Sequence, residues 1–226
     1  MPRRKALMPK LPREPDKLLI CEVYQSIQGE GLRIGLPSVF VRVTGCPLRC
    51  KWCDEPKALT EGTVMTINEI KSLVSSYRQR NVCLTGGEPL AHKQAVLLIE
   101  VLASAGYNVQ IETSGALSIA EIPRLPGVTI SMDVKCPSSG MHRRMKLDNL
   151  KHLRPDDEVK FVIADRDDYN HARSIMKEYD IPATIVFQPE GGRKMLPLAT
   201  WVLQDRLEAR VLPQLHKIIW GDMKGV

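Results

Sequence analysis

Three cysteines, Cys46, Cys50 and Cys53, stand in the segment GCPLRCKWCDE with the spacing Cys-x3-Cys-x2-Cys. One short loop can present all three thiolates to a single inorganic centre. A structural zinc site needs four protein ligands, and the next candidates in the chain are Cys83 and His92, well downstream. An electron-transfer cubane would also take four thiolates. Three leave one metal position open, where a substrate or cofactor can bind iron directly. The spacing therefore admits two readings: an open iron-sulfur site, or zinc closed by a distant residue. Cys21 in LLICEVY and Cys83 in NVCL sit in apolar runs and read as small core residues.

Other chemically capable residues fall at the ends of apolar runs: TGGEP after Leu84, ETSG after Ile111, DVK closing 128–134, and QPEGG after Phe187. Parallel βα architectures gather their chemistry at the carboxyl ends of strands, so these segments and the cysteine loop predict one shared rim.

The elements that must position them follow from hydrophobic period. Strands are expected at 18–24, 38–43, 82–85, 107–112, 128–134, 158–163, 183–187 and 210–215. Thr66 with Glu69 forms a capping box, and Ile67, Ile70, Leu73, Val74 and Tyr77 recur at helical spacing behind it, so 67–79 reads as a helix. Further helices are expected at 92–105, 167–179 and 197–208. This alternation predicts an α/β fold with a parallel sheet and helices outside it. The strand number suits an incomplete barrel better than an eight-stranded one. No repeat or low-complexity linker divides the chain, so residues 18–226 read as one domain.

The chain has 226 residues, with 43% hydrophobic and 26% charged. These proportions exclude wholesale disorder, collagen and disulfide-scaffold classes. No apolar run approaches the ~18 residues of a membrane span. The net charge is +6, but Arg3, Arg4, Lys5, Lys10, Arg13 and Lys17 place most of it in residues 1–17. That segment reads as a basic, solvated, partly disordered tail rather than an export signal or an aromatic-interleaved nucleic-acid stripe. With cysteines and no export signal, the reducing cytoplasm is the expected compartment.

The cysteine loop followed by Gly86, Gly87 and Glu88 resembles the radical S-adenosylmethionine (SAM) superfamily. The match is narrower still: YQSIQGEG, GLPSVFVRVTGCPLRCKWCD, TGGEP, ETSG, DVKCPSS, DEVKFVI, FQPEGG and PQLHKIIWGD follow in the order of the 7-carboxy-7-deazaguanine synthase family, from about Leu18 to the C-terminus. The resemblance implies a partial (βα)6-type barrel of the radical SAM kind, with an N-terminal extension and a short C-terminal tail. It also implies a 4Fe-4S cluster on Cys46, Cys50 and Cys53 whose open iron is chelated by SAM. The implied reaction begins with reductive cleavage of SAM to a 5′-deoxyadenosyl radical, which takes hydrogen from 6-carboxy-5,6,7,8-tetrahydropterin. Ring contraction to 7-carboxy-7-deazaguanine follows, with loss of ammonia.

Residue by residue, the resemblance places Trp52 near the adenine of SAM and Gly87 and Glu88 at its methionine end. Asp133, Lys135, Gln188, Pro189, Glu190 and Gly191 go to the ribose and adenine side, joined by Glu112. Ile27, Gln28, Gly29, Glu30, Arg42, Thr85 and His216 are assigned to the pterin. Without the family context, 28–31 would be a glycine turn, Asp133 with Lys135 a surface pair, and His216 a structural histidine. One departure stands out. The family has Thr after the Cys-Asp pair, where its hydroxyl helps hold Mg2+; this chain has Glu55, a hard-oxygen donor that is longer and charged.

The implied partners are the pterin, an electron donor such as flavodoxin or ferredoxin, and a second copy in a homodimer, with neither nucleic acid nor membrane bound directly. Two rivals are open to the same motifs. A glycyl-radical activase shares the cluster and the GGE segment but has no use for QGEG and Arg42. A non-catalytic zinc or iron-sulfur module would make the basic tail an RNA contact.

Overall fold

The computed structural model describes residues 8–192, 194–221, 223 and 225. Its centre is one nine-stranded sheet in the order β3-β1-β2-β4-β5-β6-β7-β8-β9. The strands are β1 (Lys17–Ile27), β2 (Pro37–Val43), β3 (Thr63–Thr66), β4 (Asn81–Gly86), β5 (Asn108–Thr113), β6 (Val128–Val134), β7 (Glu158–Ile163), β8 (Thr184–Pro189) and β9 (Arg210–Val211). From β2 to β9 every neighbour pair is parallel; β1 runs antiparallel to both β2 and β3. The sheet is open, ending on β3 and β9, as an incomplete barrel requires.

Strand alternation separates core from site. Val39, Val41, Val43, Val82, Leu84, Val109, Ile111, Ile130, Met132 and Phe161 all belong to one buried cluster. Helices α1 (Ile67–Ser76) and α2 (Ala95–Ser104) close it with Ile70, Val74, Leu98, Ile99 and Leu102. The intervening positions, Arg42, Thr85, Gln110, Glu112, Ser131, Asp133, Glu158 and Lys160, must point to the other face. That face is concave and polar.

The capping box of α1 is formed as expected: Glu69 N donates to Thr66 Oγ1 at 3.2 Å, and Thr66 N donates to Glu69 Oε2 at 2.7 Å. Helix α3 (Arg166–Glu178) starts on Asp165, whose carboxylate accepts from Asp168 N, and α4 (Met195–Gln204) follows β8.

The structure departs from the expected elements in several places. The helix expected at 67–79 stops at Ser76, and Arg78 takes a left-handed φ of 54° just beyond it. The one expected at 92–105 starts at Ala95, because Pro89–Ala91 forms a separate 3-10 turn. Strand 210–215 shrinks to Arg210–Val211, and its remainder leads into a short helix, α5 (Leu215–Ile219). Edge strand β3 is four residues long and half of it exposed, too short for period to reveal. The βα alternation also lapses: β6 and β7 are joined by 3-10 turns at Pro137–Ser139, His142–Arg144 and Leu147–His152.

Residues 8–16, read from sequence as part of the tail, lie against the body. Gln94 Nε2 donates to the carbonyls of Pro12 and Glu14 at 3.2 and 2.7 Å. Residues 1–7 of the expected tail lie outside the described residues. Among the described residues no helix is long and apolar enough to cross a membrane.

Candidate active site

The loop from Gly45 to Ala58 leaves the carboxyl end of β2 and is closed by backbone: Gly45 N donates to Ala58 O at 2.7 Å. The GGE segment, at the end of neighbouring β4, is stitched to it. Gly87 N donates to Val43 O at 2.9 Å and Glu88 N to Gly45 O at 2.8 Å. Side chains have no room here. A Cβ at Gly87 would lie 2.2 Å from Gly45 O, and one at Gly86, where φ is +141°, 2.2 Å from Val43 O.

The concave face and this loop enclose a cavity of about 880 Å³, ample for a cofactor and a bicyclic substrate together. Cys46, Cys50 and Cys53 all reach its wall, with Trp52 and Glu55 beside them. Burial pushes the Cys46 thiol up to about 11 and raises Cys50 as well. Across the cavity, Lys135 Nζ meets Asp133 Oδ2 at 2.6 Å. Burial alone would favour the neutral amine of Lys135, but Asp133 and then Cys50 outweigh it and raise its pKa. Asp133 Oδ1 is buried with no partner among the described residues, an acceptor aimed where a ligand hydroxyl would satisfy it.

A second polar group lies deeper. Gln28 Nε2 donates to Gln110 Oε1 at 2.9 Å and Glu112 Oε1 at 3.0 Å, while Thr85 Oγ1 donates to Glu112 Oε2 at 2.8 Å. Lys160 pairs with Glu30, whose other oxygen accepts from Gln214 Nε2 at 2.7 Å. Burial by itself would raise the Glu30 carboxyl; the Lys160 ammonium and its hydrogen bond override that and hold it at about 2. Arg42 is held by Glu22 and by the Tyr24 hydroxyl, each at 2.8 Å, and Tyr24 stacks on Phe40. Helix α5 forms the last wall: Leu215 N donates to Gly29 O at 2.8 Å and Lys217 Nζ to Asp54 Oδ1 at 2.8 Å.

Of the residues singled out from sequence, Ile27, Gln28, Gly29, Glu30, Arg42, Thr85, Gly87, Glu112, Asp133, Lys135, Glu190, Gly191 and His216 line the cavity. Three do not. Glu88 is fully buried: it accepts from Thr113 Oγ1 and Ser114 N, both at 2.8 Å, and from Leu90 N at 3.1 Å. It ties the ends of β4 and β5 together, and its side chain is not on the cavity wall. Gln188 is also fully buried and donates to Pro213 O at 3.0 Å, so it holds the C-terminal segment, and Pro189 continues its strand. Glu112 reaches the wall but bonds to Gln28 and Thr85, on the side assigned to the substrate, not to Asp133 and Lys135. Lys160 and Gln214 were missed. A lysine alternating with Val159 and Phe161 in an otherwise apolar strand was the available signal for the first.

Among the described residues no three His, Cys, Asp or Glu side chains converge on one metal-ion position. Neither Cys83, which accepts from Gln28 Nε2 at 3.5 Å, nor His92, whose Nε2 lies 2.8 Å from Thr44 O, joins the loop cysteines in such a group. A cubane takes one thiolate per iron and does not need convergence on one ion. Three rim thiols beside an orphaned acceptor fit a 4Fe-4S cluster with a bound ligand.

Comparison with known proteins agrees. Residues 40–154 match the model of the Radical SAM superfamily. The chain is 39% identical to the 7-carboxy-7-deazaguanine synthase of Thermoplasma acidophilum, covering 92% of this chain and 100% of that one. It is also 39% identical to that of Koribacter versatilis, over 92% and 99%. The chain belongs to the 7-carboxy-7-deazaguanine synthase family of radical SAM proteins. The fold agrees as well: QueE from Escherichia coli superimposes with a TM-score of 0.73 at 24% identity, covering 88% of this chain and 95% of that one. Membership in the radical SAM superfamily makes a 4Fe-4S cluster and SAM the cofactors of this chain.

Proposed function

We propose that this chain contracts 6-carboxy-5,6,7,8-tetrahydropterin to 7-carboxy-7-deazaguanine with loss of ammonia, as a carbon-nitrogen lyase of 7-deazapurine biosynthesis leading to queuosine or archaeosine. The observation that carries the reading is the joint presence, in one cavity, of the cysteine loop and a deep polar floor of Gln28, Glu112, Thr85, Glu30 and Lys160. A pterin presents an edge of alternating donors and acceptors plus a carboxylate, and such a floor can satisfy both.

When bound, the reduced cluster and SAM supply a carbon-centred radical that takes a hydrogen atom from the substrate. The chain's own residues do the rest. Glu112 and Glu30 accept from the ring N–H groups, and Gln28 fixes the orientation of Glu112. Arg42, already desolvated and aimed by Glu22, offers the fork that a substrate carboxylate needs. Asp133 and Gly87 hold the cofactor against the cluster loop. Glu55, on the same wall, gives Mg2+ an anionic oxygen beside the substrate; an ion that keeps several waters needs only one or two such donors.

Anaerobic incubation of the reduced holoenzyme with SAM and the carboxy-tetrahydropterin is expected to yield the deazapurine acid. Formation of 5′-deoxyadenosine without that product would remove the substrate assignment and favour an activase. Activity of Glu55→Ala that keeps the wild-type dependence on Mg2+ would remove Glu55 as its ligand.

The remaining readings are a cytoplasmic location, an electron donor such as flavodoxin or ferredoxin, and a homodimer. The last is supported by Leu196 and Leu203, exposed at 79% and 77% on α4, next to edge strand β9. Sedimentation of Leu203→Glu as a monomer would bear on it directly.

A further inference from the structure

The cysteine loop does not stand free on its outer side. Lys51 N donates to Ser139 O at 3.1 Å, and Arg49 N approaches Met141 Sδ at 3.3 Å. The segment 137–146 is in turn tied to the end of β6, where Lys135 N approaches Met145 Sδ at 3.3 Å. These contacts join the thiol loop to the 3-10 turn His142–Arg144 as a bridge. What that bridge displays is charge of one sign. Lys51, Arg143, Arg144 and Lys146 are all exposed, and none makes a side-chain ion pair among the described residues. The nearby acids are committed elsewhere: Asp133 to Lys135, Asp148 to Lys151, Asp165 to the cap of α3.

Unpaired like charges on a braced turn cost self-repulsion and contribute nothing to the fold, so a binding role is the economical account of them. Nucleic acid would also favour such charge, but single-strand binding wants aromatic platforms among the cations. Here the loop's one aromatic, Trp52, faces the cavity. We propose that Arg143, Arg144 and Lys146, with Lys51 at the margin, form the docking surface for the acidic protein that delivers an electron to the cluster. The proposal rests on the functional reading above, because only a centre that must be reduced needs such a visitor. Its placement is apt: Arg143, Arg144 and Lys146 lie off the cavity wall and only Lys51, at the margin, reaches it, so the carrier settles against the bridge that holds the thiol loop and leaves most of the cavity mouth to the substrate.

The test uses the reconstituted holoenzyme and the double variant Arg143→Glu with Arg144→Glu, positions outside the cavity wall. Oxidised flavodoxin is titrated by its flavin fluorescence, and cluster reduction by reduced flavodoxin is followed by bleaching of the visible band. Neither readout requires turnover. The variant is expected to weaken flavodoxin binding and slow cluster reduction about ten-fold or more, with wild-type rates falling as salt rises. Reduction by dithionite is expected to stay within about two-fold of wild type. Arg143→Lys with Arg144→Lys is expected to keep flavodoxin affinity. Unchanged flavodoxin binding in the charge-reversed variant overturns the proposal. So does loss of tRNA binding with flavodoxin binding intact. Failure of dithionite-reduced wild type to convert the pterin counts against the functional reading alone, since cluster reduction still tests the surface.

Discussion

Lys160, in the middle of β7, closes an ion pair with Glu30 in the turn after β1, a residue 130 positions earlier in the chain. Lys160 projects from the polar face of the sheet and Glu30 meets it from the turn, and each is the other's main reason for staying charged out of water. Breaking such a pair from one side leaves an uncompensated charge. Lys160→Met is expected to cost about 3 kcal/mol at neutral pH by urea unfolding. The sign of its pH dependence follows from the lowered Glu30 carboxyl. In wild type this stabilisation is complete above the unfolded value of about 4.3. It drains away as pH falls through about 4 toward the folded value of about 2. The gap between wild type and variant is therefore expected to narrow in acid. A gap independent of pH would show that the pair is not what the substitution removes.

Replacing any one of Cys46, Cys50 or Cys53 with Ala is expected to abolish the brown chromophore after reconstitution, whereas Cys83→Ala or Cys136→Ala keeps it. Iron analysis checks this: about four irons per chain are expected in the wild type and near none in the three loop variants.

Glu88 distinguishes a structural tie from a ligand contact. Glu88→Ala strips the acceptor from Thr113, Ser114 and Leu90 at once, and is expected to destabilise the protein by about 2–4 kcal/mol. Thermal unfolding of the cluster-free protein reads this without any cofactor present. A variant of wild-type stability with weakened SAM binding would return Glu88 to the ligand.

Gly29 abuts α5. A Cβ there would sit 2.1 Å from His216 Nδ1, so Gly29→Ala must displace that ring from its place on the cavity wall. The φ at Gly29 is not in the left-handed region, so the strain is steric alone, but the same Cβ would lie 2.9 Å from His216 backbone N, so the start of α5 must shift as well. The expected outcome is a KM for the pterin raised about ten-fold or more, with SAM affinity unchanged. Equal effects on both ligands would mean that the whole wall has moved.

The cysteine spacing and the GGE segment could be read directly because glycines and thiols have few ordinary reasons to occur in such order. The parallel strands were equally plain, since Val82, Leu84, Val109 and Ile111 repeat every second residue. What period could not disclose was direction beyond the strand. Glu88 reads as a ligand acceptor until β5 is in place to supply Thr113 and Ser114. Gln188 likewise follows a strand end, but the returning segment at Pro213 claims its amide. Edge strand β3 and helix α5 are too short to carry a period, and Lys160 becomes meaningful only once Glu30 is known to lie opposite it.

The pinning of the cysteine loop by protein backbone alone bears on how the holoenzyme matures. Gly45 bonds to Ala58, and Glu88 to Gly45, through main-chain groups that need no iron to meet. Zinc fingers owe their folding to the metal; here main-chain hydrogen bonds hold both ends of the loop, so its anchorage does not rest on thiolate–metal bonds alone. Oxidative loss of the cubane would then free the three thiols without releasing the loop's two ends from β2 and β4.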